Sequence, residues 1–390
     1  PAVKKGVDLP LPPEIERGVA AETKPGEPPL RERRAAWNAP ADARYALPTE
    51  IWRETVARRQ RCFDLRRKIA AGEITSINDL VTCNLDIRAF AETVLGKTDD
   101  HLLIRHFYNA LQNITVLDPT CGSGAFLFAA LNILEPLYEI CITRMQEFHR
   151  ENKNLFKDEL AEIENKYRSN IQHYIYKSII LRNLYGVDIM REATEIAKLR
   201  LFLKMVAVVD VDRRAENLGL DPLPDIDFNI RCGNSLVGFA NENEILAHYQ
   251  NSDDALFAVQ HRDEIREQCE LVAQAFKRFK EIQLSQSAAH QTFVAAKADL
   301  NTRLDQLREK LDGLSATFAQ TNPFHWIAEF YGIVQEHGGF DVIIGNPPYV
   351  EIETVKDYSV EDYQCKSSGN LYAVTMERCA SLAEPRAWKG

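Results

Sequence analysis

Four short apolar runs stand between residues 115 and 344, and each ends in a polar or glycine-containing turn. The runs are residues 115–118 (TVLD), 184–188 (LYGVD), 228–231 (FNIR) and 340–344 (FDVII). The first two lead directly into helical patterns over residues 124–134 and 191–206. Because strands that alternate with helices form parallel sheets, this order predicts an α/β domain. Ligands of such domains bind outside the carboxyl ends of the strands, where these four runs carry their unusual residues.

Longer helical stretches interrupt and precede these strands. Residues 137–177 separate the first two runs. Residues 244–318, rich in Gln, Ala, Lys and Glu, predict a helical hairpin or short coiled coil before the fourth run. Residues 51–112 have a helical pattern, whereas the proline- and charge-rich residues 1–50 predict an extended, poorly ordered arm. The α/β domain is therefore expected over residues 113–390.

Composition narrows the class of protein. The 390 residues carry a net charge of −10, which suits a soluble protein and gives no global sign of nucleic-acid binding. The eight cysteines lack C-x-x-C spacing, so we expect neither zinc nor a disulfide framework, and a reducing cytoplasm. We identify no membrane-length apolar run and no signal peptide, and predict no membrane association. Residues 53–68 hold seven basic and two acidic side chains; a solvated helix face is favoured over a phosphate-binding surface.

The first run opens a glycine loop within residues 118–127 (DPTCGSGAFL). Gly122 and Gly124 permit a tight turn and close approach of a ligand to the backbone. A dinucleotide fingerprint would need a third glycine and an acid about 20 residues later, and neither is present. Asp118 begins the loop instead, where a carboxylate repels pyrophosphate and favours a ligand with an ammonium group. A strand-to-helix turn without a ligand is the alternative.

The next two strands also end in polar groups. Asp188 can accept both hydroxyls of a ribose, or it can cap the following helix. In residues 231–236 (RCGNSL), Asn234 can bind an adenine edge or form an Asx-turn. Leu236 or Phe239 can supply an apolar wall. Together these groups predict a site for an amino acid, a ribose and an adenine without phosphate, which S-adenosylmethionine fits.

The fourth run ends in Asn346, Pro347, Pro348 and Tyr349. The side-chain oxygen of Asn346 and the carbonyl of Pro347 can accept both N–H bonds of an exocyclic amine, which localises its lone pair. The prolines remove competing donors, and Tyr349 offers a face on which a base rotated out of a duplex can stack. The amine can then attack a sulfonium methyl group, so we predict catalysis by positioning, without a metal.

These motifs, in this order, resemble those of N6-adenine-specific DNA methyltransferases of the gamma arrangement. They most resemble the Eco57I-type methylase domain of type IIG restriction–modification enzymes and related phage-defence systems. The resemblance covers roughly residues 60–384. It implies a Rossmann-like, seven-stranded sheet and S-adenosylmethionine as methyl donor. It also implies double-stranded DNA with a flipped-out adenine as substrate, and restriction or defence-system subunits as partners.

The resemblance also assigns the site. Its catalytic turn is Asn346, Pro347, Pro348 and Tyr349. Its cofactor-binding residues are Asp118, Pro119, Thr120, Cys121, Gly122, Ser123, Gly124, Phe126, Asp188, Ile189, Asn234, Ser235 and Leu236. Within that set, residues 118–124 would hold the methionine part, Asp188 the ribose and Asn234 the adenine. Residues 368–372 (SGNLY) are similar to the next family motif, at the start of a helix that lines both pockets.

Three features depart from the family pattern. For the N-terminal motif that clamps the cofactor, only residues 82–86 (TCNLD) are a candidate. After a helix over residues 371–382, residues 383–390 lack the expected Gly-rich turn into a fifth strand. We therefore expect the later strands and a target-recognition domain to be missing from a truncated chain. Residues 1–50 are too few for a nuclease domain.

The sequence predicts a cytoplasmic S-adenosylmethionine-dependent methyltransferase acting on the N6 amino group of adenine in DNA. Methylation of a protein glutamine or an RNA base stays open, because an Asn-Pro-Pro-Tyr turn suits any planar amide or amine. A non-catalytic scaffold or recognition subunit is a further alternative, since an incomplete sheet could leave the cofactor weakly bound.

Overall fold

The four predicted strands are neighbours in one parallel sheet in the computed structural model of the chain, and a fifth strand extends one edge. The strands are β1 (Val116–Asp118), β2 (Leu184–Asp188), β3 (Ile230–Cys232), β4 (Phe340–Ile343) and β5 (Ala383–Lys389). They pair in the order β3–β2–β1–β4–β5, and every pair is parallel. The prediction of a Rossmann-like α/β fold is confirmed.

The structure describes residues 4–166, 170–209, 223–250, 255–284, 290–315, 318, 321–360 and 362–389. Their α-helices are α1 (Pro13–Glu16), α2 (Leu30–Arg33), α3 (Trp52–Ala70), α4 (Ile77–Thr82), α5 (Ile87–Lys97), α6 (His101–Asn113), α7 (Ala125–Glu151), α8 (Lys157–Lys166), α9 (Ile171–Arg182), α10 (Arg191–Val206), α11 (Glu242–Gln250), α12 (Ala255–Leu284), α13 (His290–Asp312), α14 (Trp326–Glu329) and α15 (Leu371–Leu382). The chain divides into two units, Pro1–Phe90 and Ala91–Gly390.

Both faces of the sheet are buried, which is why its strands are nearly continuous apolar runs. Val116, Leu184 and Ile230 pack on one face in a cluster with residues of α7, α9 and α10. Leu117 and Tyr185 pack on the other, in a cluster that includes Trp326 of α14. The alternation along each strand follows from the two-residue period of β structure.

Three hydrogen bonds between Thr115 and the partly buried Asp341 set the register between β1 and β4. Asp341 accepts hydrogen bonds from the backbone N–H and the hydroxyl of Thr115, both at 2.8 Å. The Thr115 hydroxyl in turn accepts from the backbone N–H of Asp341 at 3.1 Å. Because a one-residue slip would break all three bonds, this contact fixes where β4 ends and the next turn begins.

Helix α7 corrects the sequence-based statement about apolar runs. It is long and apolar enough to cross a membrane, by length and composition alone. Pro136 lies inside it, and Leu127, Leu131 and Tyr138 are buried in the cluster beneath the sheet. In this structure it is therefore the central helix packed on β1 and β2.

The two helical insertions are confirmed. Helices α7, α8 and α9 fill the connection between β1 and β2, and α11, α12 and α13 lie between β3 and β4. Helices α12 and α13 pack against each other as the predicted hairpin, around Cys269, Leu300 and Leu304. A partly buried ion pair anchors the hairpin: Arg308 of α13 donates to the buried Glu329 of α14 at 2.6 Å.

The N-terminal unit differs from the extended, poorly ordered arm that we predicted. Residues 4–50 pack around Trp37, Tyr45 and Ile15, together with Trp52 and Val56 of α3. Three backbone carbonyls accept hydrogen bonds from the buried guanidinium of Arg33 at 3.0–3.1 Å. Prolines stand at the start of both short helices here, Pro13 as the first residue of α1 and Pro29 directly before α2. Two tryptophans and one arginine supply the core of this unit, which the proline-rich composition did not predict.

Helix α3 confirms the predicted basic helix and shows what part of its charge does. Arg58 donates to Glu50 at 2.8 Å and to the carbonyl of Tyr45 at 2.6 Å. Arg66 donates to Asp8 at 2.6 Å. These guanidinium groups hold the preceding segment against the helix. The sequence analysis considered only a solvated helix face or a phosphate-binding surface, and it did not include this structural role.

The end of the described chain also corrects a prediction. Residues Ala383–Lys389, which lack a Gly-rich turn, form β5 directly after α15 and pair with β4. The register shifts between Phe340 and Val342. Pro385 cannot donate a ladder hydrogen bond, and an irregular register is where a strand tolerates proline. The backbone at Gly339 provides the room, because a Cβ there would lie 2.4 Å from the nitrogen of Glu384.

Candidate functional site

The glycine loop, residues 118–124, closes onto the ends of β1 and β2. Gly122 and Gly124 have positive φ values of 49° and 76°, so the loop needs glycine at both positions. Cys121 donates its backbone N–H to Val187 at 2.9 Å, and its side chain is buried. Burial raises the pKa of the Cys121 thiol, which is therefore a packing group here.

Asp188 ties this loop to the end of β2. One carboxylate oxygen accepts the backbone N–H of Gly122 at 2.8 Å, and the other accepts that of Met190 at 2.9 Å. The second bond closes a local turn before α10. It is not the helix cap that we gave as the alternative to ribose binding, because the N-cap residue of α10 is Met190, without a side-chain capping bond. Each carboxylate oxygen of Asp188 keeps a lone pair, so these backbone contacts are compatible with ribose binding. The carbonyl of Asp188 also accepts from Gly233 at 2.9 Å, which joins the turn after β3 to the same edge.

Asp118 lies at the junction of the glycine loop with the turn after β4. Its side chain is 1% exposed and accepts the backbone N–H of Thr120 at 3.2 Å. Burial raises its pKa to about 7 against the effect of that hydrogen bond, and the Asp188 carboxylate adds to the increase. A Cβ on Gly345 would lie 2.9 Å from Oδ1 of Asp118 and 3.2 Å from Oγ1 of Thr120. The glycine directly before Asn346 therefore packs against the glycine loop.

Asn234 is buried after β3, with 2% of its surface exposed. Its side-chain oxygen accepts the backbone N–H of Leu236 at 3.1 Å, which is the predicted Asx-turn. Its side-chain nitrogen has no hydrogen-bond partner among the residues that the structure describes, and the same holds for the buried hydroxyl of Thr120. Buried polar atoms without partners are uncommon, so both favour a ligand that would satisfy them.

The turn of residues 346–349 is open to solvent. Asn346, Pro348 and Tyr349 are exposed, and Tyr349 is 75% exposed. Within the described residues, neither the Asn346 side chain nor the Pro347 carbonyl makes a hydrogen bond. The two predicted acceptors are therefore free to bind another molecule.

An aromatic pair flanks this turn. The rings of Tyr349 and Tyr372 lie 5.7 Å apart between centroids, tilted by 30°. The backbone N–H of Leu371 donates to Val350 at 2.8 Å, which brings the start of α15 beside the turn. Asn370 caps α15 by accepting from Tyr372 at 3.1 Å. Residues of the segment 368–372, at the start of α15, thus contact the turn.

The structure separates one predicted residue from the site. Phe239 is buried against the helical insertion, stacked on His325 with ring centroids 5.5 Å apart. Of the two candidates for the apolar wall, Leu236 stays near α15, where it packs with Val360 and Tyr363. Residues 82–86 belong to the N-terminal unit, so the proposed clamp stays a prediction. Phe126 and Ile189 are partly exposed beside the glycine loop and the end of β2.

Sequence reasoning also missed residues that hold these loops. Arg200 of α10 donates to the carbonyl of Ser123 at 2.8 Å and lies over the Phe128 ring. Trp326 donates its indole N–H to the carbonyl of Ser235 at 3.0 Å. Gly345 had a signal, because a glycine directly before a turn indicates close packing. Arg200 and Trp326 had none, since they are distant in sequence from the loops that they hold.

The five-stranded parallel sheet in this order, with a glycine loop after β1 and an Asn-Pro-Pro-Tyr turn after β4, is a Rossmann-like methyltransferase fold. Residues 182–388 match the model of the Eco57I restriction-modification methylase family. Because that match covers more than half of the chain, the chain belongs to this family.

Two curated relatives agree with the family. RM.MjaORFECS2P of Methanocaldococcus jannaschii, by name a type II restriction enzyme and methyltransferase, is 30% identical over 322 residues. That alignment covers 70% of this chain and 25% of the relative. The type II restriction enzyme and methyltransferase RM.Eco57I of Escherichia coli is 28% identical over 144 residues, or 36% of this chain and 12% of the relative. The chain thus spans a quarter or less of the length of these relatives in the matched regions.

Proposed function

We propose that this chain binds S-adenosylmethionine and methylates the N6 amino group of adenine in DNA, as part of a restriction–modification system. The observation that carries the proposal is the packing of Gly345 against Asp118 and Thr120. Two loops with different expected ligands, one for the methyl donor and one for the acceptor base, are adjacent at a single edge of the sheet. Methyl transfer requires that proximity.

The residues at this edge fit S-adenosylmethionine. The unpartnered hydroxyl of Thr120 and amide nitrogen of Asn234 are buried polar groups that a ligand would satisfy. At Gly122, a Cβ would meet no atom within 4 Å, so the backbone there faces open space. The carboxylate of Asp118 suits the ammonium group, and the spare lone pairs of Asp188 suit the ribose hydroxyls. When bound, this donor supplies an electrophilic methyl group on a sulfonium.

The chain's own groups would activate the acceptor. The Asn346 side-chain oxygen and the Pro347 carbonyl accept the two N–H bonds of the exocyclic amine and localise its lone pair. Tyr349, supported by Tyr372, stacks on the base and offsets part of the cost of rotating it out of the duplex. Both acceptors are held by a rigid proline turn, so little reorganisation is needed at the moment of reaction.

A titration and a transfer assay test this proposal. We expect calorimetric heat on titration with S-adenosylmethionine, and methyl incorporation into duplex DNA at adenine by modified-base mapping. No heat at high micromolar donor would favour a scaffold subunit. If methyl groups appeared on RNA or on a protein glutamine instead of on DNA, the proposed mechanism would stand but the proposed substrate would be wrong. We place the activity in the cytoplasm, where DNA and donor meet, with restriction or defence subunits as partners.

A further inference from the structure

We propose that Arg378 and Tyr363 are positioning residues that hold the adenine side of the donor site in register with the aromatic pair of the acceptor site. This inference rests on the proposed function. The two residues belong to a buried polar network, the Arg378 network, which consists of Arg378, Tyr363 and Glu244. None of the three is among the residues predicted from the motifs.

One end of the Arg378 network holds the turn after Asn234. The Tyr363 hydroxyl donates to the carbonyl of Leu236 at 2.7 Å. It accepts in turn from Nε of Arg378 at 2.7 Å, and Nη2 of Arg378 donates to the carbonyl of Gly238 at 3.2 Å. Two carbonyls of one turn are therefore held by two side chains that also bind each other.

Glu244 completes the network and neutralises the buried cation. Nη1 of Arg378 donates to both carboxylate oxygens of Glu244, at 2.7 and 2.9 Å. Glu244 also accepts the backbone N–H of Ala240 at 2.8 Å. Only 6% of Arg378 and 9% of Tyr363 are exposed, so water cannot replace a lost partner cheaply. The segment from Leu236 to Ala240 is thus fixed at three points.

The other end of the Arg378 network reaches the acceptor site through α15. Arg378 lies on the same helix as Tyr372, whose ring contacts Tyr349. Leu371 and Val374 on this helix pack with Leu236 in one apolar cluster. An α-helix of this length is stiff compared with the turns at its ends. The helix therefore transmits the position of the turn after Asn234 to the aromatic pair.

The consequence is that a small change in the Arg378 network should disturb donor binding without contact to the donor. Removing the Tyr363 hydroxyl leaves the Leu236 carbonyl and Nε of Arg378 without their partners while keeping the ring and its packing. The turn after Asn234 then gains freedom relative to α15. A residue that only stabilised the fold would lower the melting temperature and leave donor affinity unchanged.

Tyr363→Phe tests this, with Tyr358→Phe as the matched control. Tyr358 lies on the same loop, its ring packs in the same cluster, and its hydroxyl makes no hydrogen bond to a described residue. In Tyr363→Phe we expect faster hydrogen exchange of the amides from Leu236 to Ala240 and about tenfold weaker binding of S-adenosylmethionine. Tyr358→Phe should match the wild type in both measurements.

The outcomes separate this inference from the proposed function. No binding of S-adenosylmethionine to the wild type overturns the proposed function, and the positioning role with it. Normal binding by the wild type and equal exchange and affinity in both variants overturns the positioning role alone. Faster exchange with unchanged affinity also overturns it, because the network would then be structural. Methyl-transfer kinetics add a check: a positioning role raises the KM for the donor more than it lowers kcat.

Discussion

The glycine loop and the Asn-Pro-Pro-Tyr turn lie at the same edge of the sheet, yet they are built in opposite ways. The glycine loop is closed. Asp188 accepts the backbone N–H of Gly122 in the loop and that of Met190 beside it, Arg200 donates to the carbonyl of Ser123, and Asp118 is almost fully buried. The turn is open: Asn346 and Tyr349 are exposed, and its predicted acceptors are unbound. Internal hydrogen bonds organise the first region, and backbone rigidity organises the second.

This difference fits two kinds of ligand. A small donor must be surrounded by groups that are already in place, since each group ordered on binding would cost affinity. A base presented by a large duplex must instead find an accessible face and acceptors that have no competing donors. We therefore expect substitutions in the turn to act on the reaction and substitutions in the glycine loop to act on donor binding and stability.

We expect Asn346→Ala to separate the effect on methyl transfer from the effect on donor binding most clearly. Loss of one preorganised acceptor should lower methyl transfer by about a thousandfold, while donor affinity changes little. Transfer of a labelled methyl group to duplex DNA and calorimetric titration of the donor measure the two quantities. Asn243→Ala, an exposed asparagine of α11, is the control and should match the wild type. Equal loss of transfer and of donor affinity would show that the turn is misassigned.

Asp188→Ala tests the closed region with the opposite expectation. It removes the acceptor for the Gly122 and Met190 N–H groups as well as the expected ribose contact. Donor affinity should fall by roughly tenfold to a hundredfold, and the melting temperature should also decrease. Asp227→Ala is the control, because that carboxylate is paired with Lys198 and Lys297 outside the site. Unchanged donor affinity in Asp188→Ala would remove Asp188 from the donor site.

Gly345→Ala should affect both regions, because Gly345 is where they touch. The added methyl group would lie 2.9 Å from Asp118, so the turn or the carboxylate must shift. We expect about tenfold losses of both donor affinity and transfer, and a destabilisation of about 1–3 kcal/mol measured by denaturant unfolding. Gly96→Ala in α5, where a Cβ meets no atom within 4 Å, should be neutral or slightly stabilising. A neutral Gly345→Ala would refute the contact.

The smallest expected effect is a pH dependence that belongs to the glycine loop. The pKa of Asp118 is about 7 in the folded protein against an ordinary 3.8, so the folded protein keeps a proton that the unfolded chain has released between those values. Its contribution to stability is therefore present below that window and is lost as the pH rises through about 7.

Donor affinity should change in the opposite direction, because ionised Asp118 attracts the ammonium group. We expect affinity to rise by at most about tenfold between about pH 6 and pH 8. In Asp118→Asn, which keeps an acceptor for Thr120, the profile of calorimetric affinity against pH should be flat. A profile in Asp118→Asn that is as steep as in the wild type would assign the titration to another group.

Much of this molecule could be predicted from local patterns. The bounds of β2, α10 and α15 agree with the sequence-based ranges, because strong periodicity and a clear turn or cap mark both ends. The helical hairpin followed from composition in the same way. The N-terminal unit did not, because its core is assembled from single aromatic residues among prolines, and no period connects Ile15, Trp37 and Trp52.

The candidate site shows the same division between features set by the local sequence and features set by contacts between distant residues. The sequence by itself determined the chemical groups at the strand ends, because residue type and order are local properties. Only the tertiary structure decided that Gly345 packs on Asp118, that Phe239 turns into the helical insertion, and that Arg378 reaches back to Gly238. It also formed β5 without the expected turn. These features depend on pairs far apart in the chain, whose contact is set by sheet order and packing and leaves no local pattern.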